Sequence, residues 1–228
     1  MISYNVIVVI VFVFFTVVTI CLENLSQIDS IKSTPSQSTS YDNGHHAEKA
    51  VDGQLQVGVD ESTCSFTIGG QNVTEAWWKL SLREMSNVAY LEIYFRSSTP
   101  NRHVGFSVFV FNDSSYIPPS NSSEHQVFKH DTKTCIDRVM NVTINKETQG
   151  IALYNSRYKP VNTNCPGYEP SFATIEICEV KVMGCQSKHF GKNCTPCNPK
   201  CRNRQCDVFN GSCIAGCSNN VIQSKDCS

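Results

Sequence analysis

The stretch AWWKLSLREMSNVAYLEIYF, residues 76–95, decides the fold class. In each half of it apolar residues alternate with polar ones, and the apolar members are Trp78, Leu80, Leu82, Ala89, Leu91, Ile93 and Phe95. A period of two is typical of β-strands that bury one face. The stretch therefore predicts two strands that contribute to a common core.

Similar short patterns continue along the chain, at 106–110, 140–144, 151–154 and 175–183. Phe109 and Phe111 give the strand at 106–110 a second apolar face, which predicts an interior position in the sheet. No run of ten or more residues has a helical period, so the sequence predicts an all-β sandwich. Residues 22–41 are rich in Ser, Thr and Gln, and we expect them to form an extended lead-in with little core.

Charge and motifs exclude two classes of function. The chain has 228 residues, with 19 Lys and Arg against 20 Asp and Glu, so no basic surface is available for a phosphate backbone and nucleic acid is not an expected partner. Neither a Gly-x-Ser-x-Gly elbow nor a His-Glu-x-x-His helix occurs, so we expect no enzyme. Histidines without metal-ligand spacing are interpreted as solvated loop residues: His45, His46, His125 and His130.

The amino terminus predicts secretion. Residues 6–20 are apolar except for Thr16 and are too short for an ordinary membrane span, so residues 1–21 are interpreted as a signal peptide, with an uncleaved anchor as the alternative. Cleavage after Cys21 leaves 12 of the 13 cysteines, an even number suited to full pairing in an oxidising compartment. No membrane span is expected in the mature chain. Seven N-x-Ser/Thr sequons agree with secretion: Asn24, Asn72, Asn112, Asn121, Asn141, Asn193 and Asn210.

Cysteine density divides the chain into two domains. Residues 22–184 hold only four cysteines, whereas the last 44 residues hold eight and almost no aliphatic side chains. Such a tail needs disulfides, which predicts a β-sandwich over 22–184 and a small cysteine-rich module over 185–228. The spacing does not select one of the 105 possible connectivities of eight cysteines. Zinc at Cys194/Cys197 and Cys213/Cys217 is an alternative that secretion disfavours.

An ordered set of motifs resembles a known family. The motifs are AEKAVDG at 47–53, Cys64, WWKLSL at 77–82, IYFR at 93–96 and ICEV at 177–180. Together they resemble the F-type lectins, or fucolectins, over about residues 28–184. The tail, with FGKNC at 190–194 and NGSC at 210–213, resembles an EGF-like repeat of the multiple-EGF, scavenger-receptor type. The resemblance implies a discoidin-like jelly-roll β-sandwich followed by one EGF-like module.

The resemblance also implies two disulfides, Cys64–Cys178 and Cys135–Cys165, and a structural calcium ion. The matching calcium positions are Lys49, Asp52, Gln54, Thr63, Cys178 and Glu179. Calcium takes six to eight oxygen ligands, which loop carbonyls and two carboxylates can supply. The family usually has Asn at the positions of Lys49 and Gln54, a departure that backbone donors tolerate. In the alternative interpretation Asp52 only caps the loop and Glu179 is a solvated strand residue.

Members of the family bind fucose through one His and two Arg, and this sequence matches that set only in part. Arg96 and Arg102 match the two arginines, whereas Phe66 stands where the His is expected. The family's vicinal Cys pair is replaced by Ser and Thr in the segment 97–101. Phe66 is expected to offer an aromatic face to a sugar, and His103 is expected to replace the missing donor. In the alternative interpretation both arginines are exposed loop charges.

The sequence thus predicts a secreted, calcium-dependent, fucose-type lectin for extracellular or innate immune glycan recognition, with glycans as partners and homo-oligomers as a possible assembly. The alternative is a discoidin-like adhesion or protein-interaction module that has lost sugar binding. A further hypothesis is a truncated multi-EGF receptor ectodomain, since such repeats commonly occur in series.

Overall fold

The computed structural model describes residues 22–32, 34–55, 61–119, 125–218 and 227. The predicted signal peptide, its cleavage site and the Asn121 sequon lie outside these ranges. Within them, no helix has the length and apolar character needed to cross a bilayer. The strands are β1 (Glu23–Asn24), β2 (Ser36–Gln37), β3 (Ser65–Phe66), β4 (Glu75–Phe95), β5 (Ser107–Phe111), β6 (Gln126–Lys129), β7 (Val139–Ser156), β8 (Glu176–Gln186), β9 (His189–Phe190) and β10 (Thr195–Pro196). Short 3-10 helices span Leu25–Gln27, Ala47–Val51, Glu61–Thr63, Pro100–His103 and Arg202–Arg204.

One bent pair of long antiparallel strands, β4 and β7, joins the two layers of the sandwich. Its register shifts between Ser81 and Ser86, and the two halves of β4 then have different outer neighbours. The first half pairs with β2, and the facing half of β7 pairs with β5, which in turn pairs with β6. The second half pairs with β8, which also carries β1 and β3. The bend folds one eight-stranded antiparallel sheet into a β-sandwich.

The predicted strands within residues 76–95 are therefore halves of one strand, and so are those at 140–144 and 151–154. Gly150 lies at the bend of β7, where an added Cβ would come within 2.8 Å of the Leu80 carbonyl oxygen and would collide with the Phe111 ring. A strand that bends still alternates apolar and polar residues, because each half buries one face. The periodicity of the sequence therefore does not show whether two such stretches form one strand or two.

A single apolar cluster fills the space between the layers. It takes Trp78 from the first half of β4, Leu91 from the second half, Val108 from β5 and Val182 from β8, all fully buried. The Trp78 indole N–H donates to the Ala47 carbonyl oxygen at 3.0 Å, so its one polar atom has a partner inside the core. Burial of this set from both layers is the main stabilisation of the sandwich.

Strand β5 has the interior position that its two apolar faces predict, because it pairs with β6 on one side and β7 on the other. Its outer face carries Phe109 and Phe111, which form a second small cluster with Tyr116 and Tyr154. The loop after β5 supplies Tyr116, whose ring stacks on Phe111 at 5.1 Å. A loop therefore covers the second apolar face.

The expectation that residues 22–41 add little core is wrong. Leu25 and Ile31 are buried members of the main cluster, and β1 pairs with the far end of β8. Asn24 caps the following 3-10 turn through Ser26 and also accepts a hydrogen bond from the Val182 N–H at 3.1 Å. The segment is thus an integral edge of the sandwich.

All twelve cysteines of the described residues form disulfides. In the sandwich Cys64 pairs with Cys178 and Cys135 with Cys165. Four more hold the C-terminal segment: Cys185–Cys194, Cys197–Cys206, Cys201–Cys213 and Cys217–Cys227. The zinc alternative is not supported, since the cysteines of each proposed ligand pair bond to different partners. Strand β8 continues through Cys185 to Gln186, so the first of these disulfides ties the segment to the sheet.

Candidate functional site

The candidate site is a pocket of about 560 Å³ at one end of the sandwich. Its walls come from the end of β4, the start of β8, strand β3, the 3-10 helices Glu61–Thr63 and Pro100–His103, and loops. Its lining residues are Tyr41, His45, Ser62, Phe66, Thr67, Gly69, Arg96, Arg102, Phe172 and Glu176. Three of the residues singled out by the sequence, Phe66, Arg96 and Arg102, thus meet in one cavity. Among the described residues, the pocket combines aromatic rings, two guanidinium groups and one carboxylate.

The two arginines converge on Glu176, the first residue of β8. Arg96 directly follows β4, and Arg102 lies in the 3-10 helix Pro100–His103. Arg102 Nη1 donates to Glu176 Oε1 at 2.7 Å, and Arg96 Nη1 lies 3.4 Å from Oε2. The arginines are therefore components of an ion-paired cluster, which differs from the alternative of isolated loop charges.

Phe66 does not offer an open ring face. Its ring is only 6% exposed, stacks on the His45 ring at a centroid distance of 4.3 Å and lies 4.7 Å from the Arg96 guanidinium carbon. These two contacts cover much of the surface that a sugar would use. Phe66 instead supports the two polar groups beside it, so the expectation of direct aromatic stacking on a ligand is not supported.

His45 lies in the pocket, and its interpretation as a solvated loop residue is wrong. The loop from residue 41 to 46 is bound to β3, because the Phe66 N–H donates to the His45 carbonyl oxygen and the Tyr41 N–H donates to the Phe66 carbonyl oxygen. His45 Nδ1 is 2.7 Å from Asp42 Oδ1, and this hydrogen bond lowers the pKa of Asp42. Nε2 is then the ring nitrogen available to a ligand. Sequence reasoning missed His45 because it comes from a loop 21 positions before Phe66.

His103 has a different role from the sugar donor expected of it. The side chain is fully buried and lies outside the pocket lining. Its Nδ1 bonds the Pro100 carbonyl oxygen at 2.9 Å, and its Nε2 accepts the Glu176 backbone N–H at 2.8 Å. Burial lowers the pKa of His103 to about 4, which keeps the ring neutral and able to accept that bond. His103 therefore supports the position of Glu176.

Glu176 and Phe172 line the pocket and were not singled out from the sequence. In the sequence, Glu176 is indistinguishable from the other acidic strand residues. Phe172 lies in the loop before β8, where its ring is 5.8 Å from the Arg102 guanidinium carbon.

The interpretation of His130 as a solvated residue is wrong, because its side chain is buried against the Phe106 ring. Burial of this kind has no signal in a single sequence, because the contacts come from distant segments.

The predicted calcium residues surround the loop after the 3-10 helix Ala47–Val51. Glu179 is buried, and its carboxylate accepts hydrogen bonds from the Gly53 N–H at 3.2 Å and the Gln27 amide at 3.3 Å. Asp52 is exposed and accepts the Gln54 N–H at 2.9 Å, while Thr63 is buried next to the Cys64–Cys178 bridge. Lys49 lies within the helix itself, and Cys178 precedes Glu179. The alternative of a solvated Glu179 is wrong.

The chemistry of this loop fits a cation. Burial, with a smaller contribution from the charge of Asp52, raises the pKa of Glu179 to about 7 against the hydrogen bond from Gly53. A buried carboxylate next to a second carboxylate is an environment that a divalent ion relieves. Residues 56–60 of the same loop lie outside the described ranges.

Comparisons with known proteins support the fold. Protein-family models give no match, and neither do curated protein sequences. Among solved structures, a fucolectin from striped bass (Morone saxatilis) serum matches with a TM-score of 0.54 and 19% identity over 72% of this chain and 50% of that one. A fucose binding module of Streptococcus pneumoniae matches with a TM-score of 0.51 and 17% identity over 72% of this chain and 96% of the module. At these identities the likeness shows a shared fold, and this chain spans half of the bass protein.

Proposed function

We propose that this chain is a secreted glycan-binding protein of the lectin type that performs no catalysis. The observation that carries the proposal is the convergence of Arg96, Arg102 and His45 in one aromatic-walled pocket. The shared fold with a fucolectin and with a fucose binding module supports a sugar of the fucose class as ligand. Glycans on cell or microbial surfaces are the proposed partners.

The proposed chemistry uses the planar guanidinium groups. Each presents several N–H donors in a fixed fork that spans neighbouring hydroxyls, which a lysine ammonium cannot do. His45 supplies an imidazole nitrogen from a loop, in place of the histidine that Phe66 displaces. Its hydrogen bond to Asp42 fixes the ring, so recognition costs little side-chain entropy. Tyr41 and Phe172 provide apolar faces for the C–H surface of a sugar.

The pocket is tested with a glycan array and by titration calorimetry with L-fucose. Arg102→Lys is expected to weaken binding about tenfold or more, as expected for loss of a charge-assisted hydrogen bond. His45→Ala is expected to weaken it as well. Arg83→Lys is the matched control, since Arg83 is exposed and lines a different cleft. Equal affinity in Arg102→Lys and Arg83→Lys would reject the pocket as the binding site.

We propose calcium as the structural ion of the loop, with Asp52 and Glu179 as charged ligands and loop carbonyls of Lys49, Gln54, Thr63 and Cys178 as the others. An ion that binds only the folded loop stabilises it by mass action. Calcium is expected to raise the melting temperature, and Asp52→Ala is expected to abolish the rise. Asp29→Ala, another exposed carboxylate of the sandwich, is the matched control. A melting temperature unaffected by chelator would reject the site.

The C-terminal segment is proposed to be an EGF-like module of an extracellular protein. The first and third of the cysteines from 197 to 227 pair, as do the second and fourth and the fifth and sixth. Such a compact disulfide set suits an oxidising compartment. Sequon residues Asn72, Asn112, Asn141, Asn193 and Asn210 are exposed, which suits glycosylation. Innate immune recognition, with homo-oligomers adding avidity, is the proposed setting.

An adhesion or protein-interaction module is the second candidate, and Phe66 favours it. Phe66 stands where the F-type lectins have a histidine that binds the sugar, and both arginines already have a carboxylate partner. Phe66→His distinguishes the candidates, because a restored imidazole is expected to strengthen fucose binding in a pocket that still binds sugar. Wild-type protein that binds no glycan on the array, with calcium present, would favour the adhesion module.

A further inference from the structure

Glu176 is the only carboxylate in the lining of the pocket, as far as the described residues show. Its side chain is 6% exposed, and both of its oxygens are used. Oε1 accepts from Arg102 Nη1 at 2.7 Å, whereas Oε2 accepts from Arg96 Nη1 at 3.4 Å and from the Thr99 hydroxyl. One carboxylate therefore connects the two arginines that come from different segments of the chain.

The backbone of Glu176 is held as firmly as its side chain. Its N–H donates to the buried His103 ring at 2.8 Å, and its carbonyl oxygen accepts the Arg96 N–H at 3.1 Å. Burial alone would raise the pKa of Glu176, but the hydrogen bonds from Thr99 and Arg102 hold it below its usual range. The group is therefore a fixed negative charge at neutral pH.

This fixed charge has two consequences for a ligand. It accepts one N–H from each guanidinium and so fixes both planes, which orients the fork of Arg102 for the hydroxyls of an uncharged sugar. It also opposes an acidic ligand, because a sugar carboxylate or sulfate would compete for the same arginines and would lie beside a desolvated negative charge. Discrimination of this kind comes from the unfavourable contact that the wrong ligand would make.

We propose that Glu176 positions Arg96 and Arg102 and restricts the pocket to uncharged sugars, excluding those that carry a carboxylate or a sulfate. This inference rests on the proposed glycan-binding function of the pocket. Without Glu176 the Arg102 guanidinium would lose its carboxylate partner, and a guanidinium of this kind is a ready binding group for an anion.

The experiment compares wild type with Glu176→Gln, a nearly isosteric change that removes the charge. Titration calorimetry measures L-fucose as the neutral probe, with N-acetylneuraminic acid and inorganic sulfate as anionic probes. Fucose affinity is expected to fall about tenfold or more and sulfate affinity to rise by a similar factor, the size expected for one charge-assisted contact. A residue that only stabilised the fold would weaken both kinds of binding, so opposite changes identify the proposed role.

Glu169→Gln is the matched control. Glu169 is partly exposed and near enough to Arg102 to interact with its charge, yet its carboxylate is bonded to Ser171. Its loss is expected to change sulfate affinity less than about threefold, because solvent screens exposed charges. Folded Glu176→Gln protein with unchanged sulfate binding, or with both probes weakened, would overturn the inference.

The sulfate measurement separates this inference from the proposed function. If wild type binds no glycan, the proposed function fails, while a gain of sulfate binding in Glu176→Gln still supports the charge role and its absence still overturns it. If Glu176→Gln does not fold, Glu176→Asp replaces it, because the charge stays and the reach to the arginines shortens. That variant is expected to lose fucose affinity and still exclude sulfate. Sulfate binding in it above the wild-type level would overturn the inference.

Discussion

The sandwich and the C-terminal segment belong to one chain but are stabilised differently. The sandwich buries a continuous set of large side chains from both layers, such as Phe95, Phe106 and Leu153. The segment from residue 187 onward has a small buried cluster made mostly of cysteine side chains. Among the described residues of the segment, Val208 is the fully buried aliphatic one. A domain with enough apolar surface can use few disulfides, whereas a short segment without it needs one for about every ten residues.

The two regions are nevertheless firmly joined. Asn145 of β7 donates to Asp207 at 2.7 Å and accepts the Val208 N–H at 3.2 Å, and Asn87 of β4 donates to the carbonyl oxygens of His189 and Cys206. Glu147 accepts from Gln205 at 3.0 Å. The segment therefore packs on the middle of the β4–β7 pair, beside the register shifts, so stability of the sandwich supports the position of the segment.

Truncation of a buried side chain is expected to show the largest difference in stability between the sandwich and the C-terminal segment. Phe106 is fully buried and packs against Phe95 at a centroid distance of 5.4 Å. Phe106→Ala is expected to lower the free energy of unfolding of the sandwich by about 3 to 5 kcal/mol, from lost burial and the remaining cavity. Phe209→Ala, which truncates a half-exposed ring of the segment, is the control and is expected to cost less than about 0.5 kcal/mol. Denaturant titration followed by tryptophan fluorescence measures both, and similar costs would contradict the comparison.

Acid is expected to weaken the sandwich through His103. Burial lowers the pKa of His103 to about 4 in the folded protein, against about 6.5 for an ordinary histidine, so folding favours the neutral ring. The associated stability is fully present above pH 6.5 and is lost as the pH falls towards 4, with a total of about 3 kcal/mol.

The acid prediction is measured as a difference between wild type and His103→Gln, which removes the titration. Denaturant titrations at pH 7.5 and pH 4.5 give the free energy of unfolding of each protein. Other groups, including Glu179 with its raised pKa, act in both proteins and cancel. An equal pH dependence in the two proteins would rule out His103 as the source.

Loss of one disulfide is expected to affect the two regions unequally. Cys201–Cys213 closes a separation of 12 residues, and its replacement by alanines removes about 3 kcal/mol on the loop-entropy model. The segment has little other stabilisation, so its amides are expected to exchange rapidly while the sandwich melts as before. Replacement of Cys135–Cys165, with a separation of 30, is the control, and it should lower the melting temperature of a sandwich that stays folded. Joint unfolding of both regions in the first variant would contradict independent stabilisation.

The smallest expected effect concerns the junction. Asn145 has a positive φ of 46°, so Asn145→Gly removes its side-chain bonds without adding backbone strain. Two lost hydrogen bonds, one of them to a carboxylate, are expected to weaken docking of the segment by about 2 kcal/mol. Hydrogen exchange at residues 205–210 should accelerate. Asn72→Gly, at another position of positive φ, is the control and should leave that exchange unchanged.

Periodicity predicted the strands of this protein well because each one buries a single face or, in β5, two. The main error was continuity, since β4 and β7 bend at a register shift and each supplies both layers. The N-terminal residues were underestimated for a related reason. Leu25 and Ile31 are isolated apolar residues in a polar stretch, and only their packing against β8 and β4 makes them core.

The candidate site likewise contains some residues that the sequence could identify and others that only the structure reveals. Arg96, Arg102 and Phe66 could be selected because they occupy positions of a motif, and the structure brings all three into one pocket. Their neighbours His45 and Glu176 lie at distant positions, and neither has a local pattern that marks it. Conversely His103, chosen because it adjoins Arg102, faces the interior, since successive residues of a 3-10 helix point in different directions.

The sequence by itself determined the all-β class, the position of the cysteine-rich segment and the residue types that the pocket can use, because composition and a period of two depend only on local order. Tertiary structure alone decided which charges are paired, which histidine lines the pocket and which is buried, and how the segment packs on the β4–β7 pair. These features depend on contacts between residues tens of positions apart, such as Arg96 with Glu176, and chain topology, which sets those contacts, has no local signal.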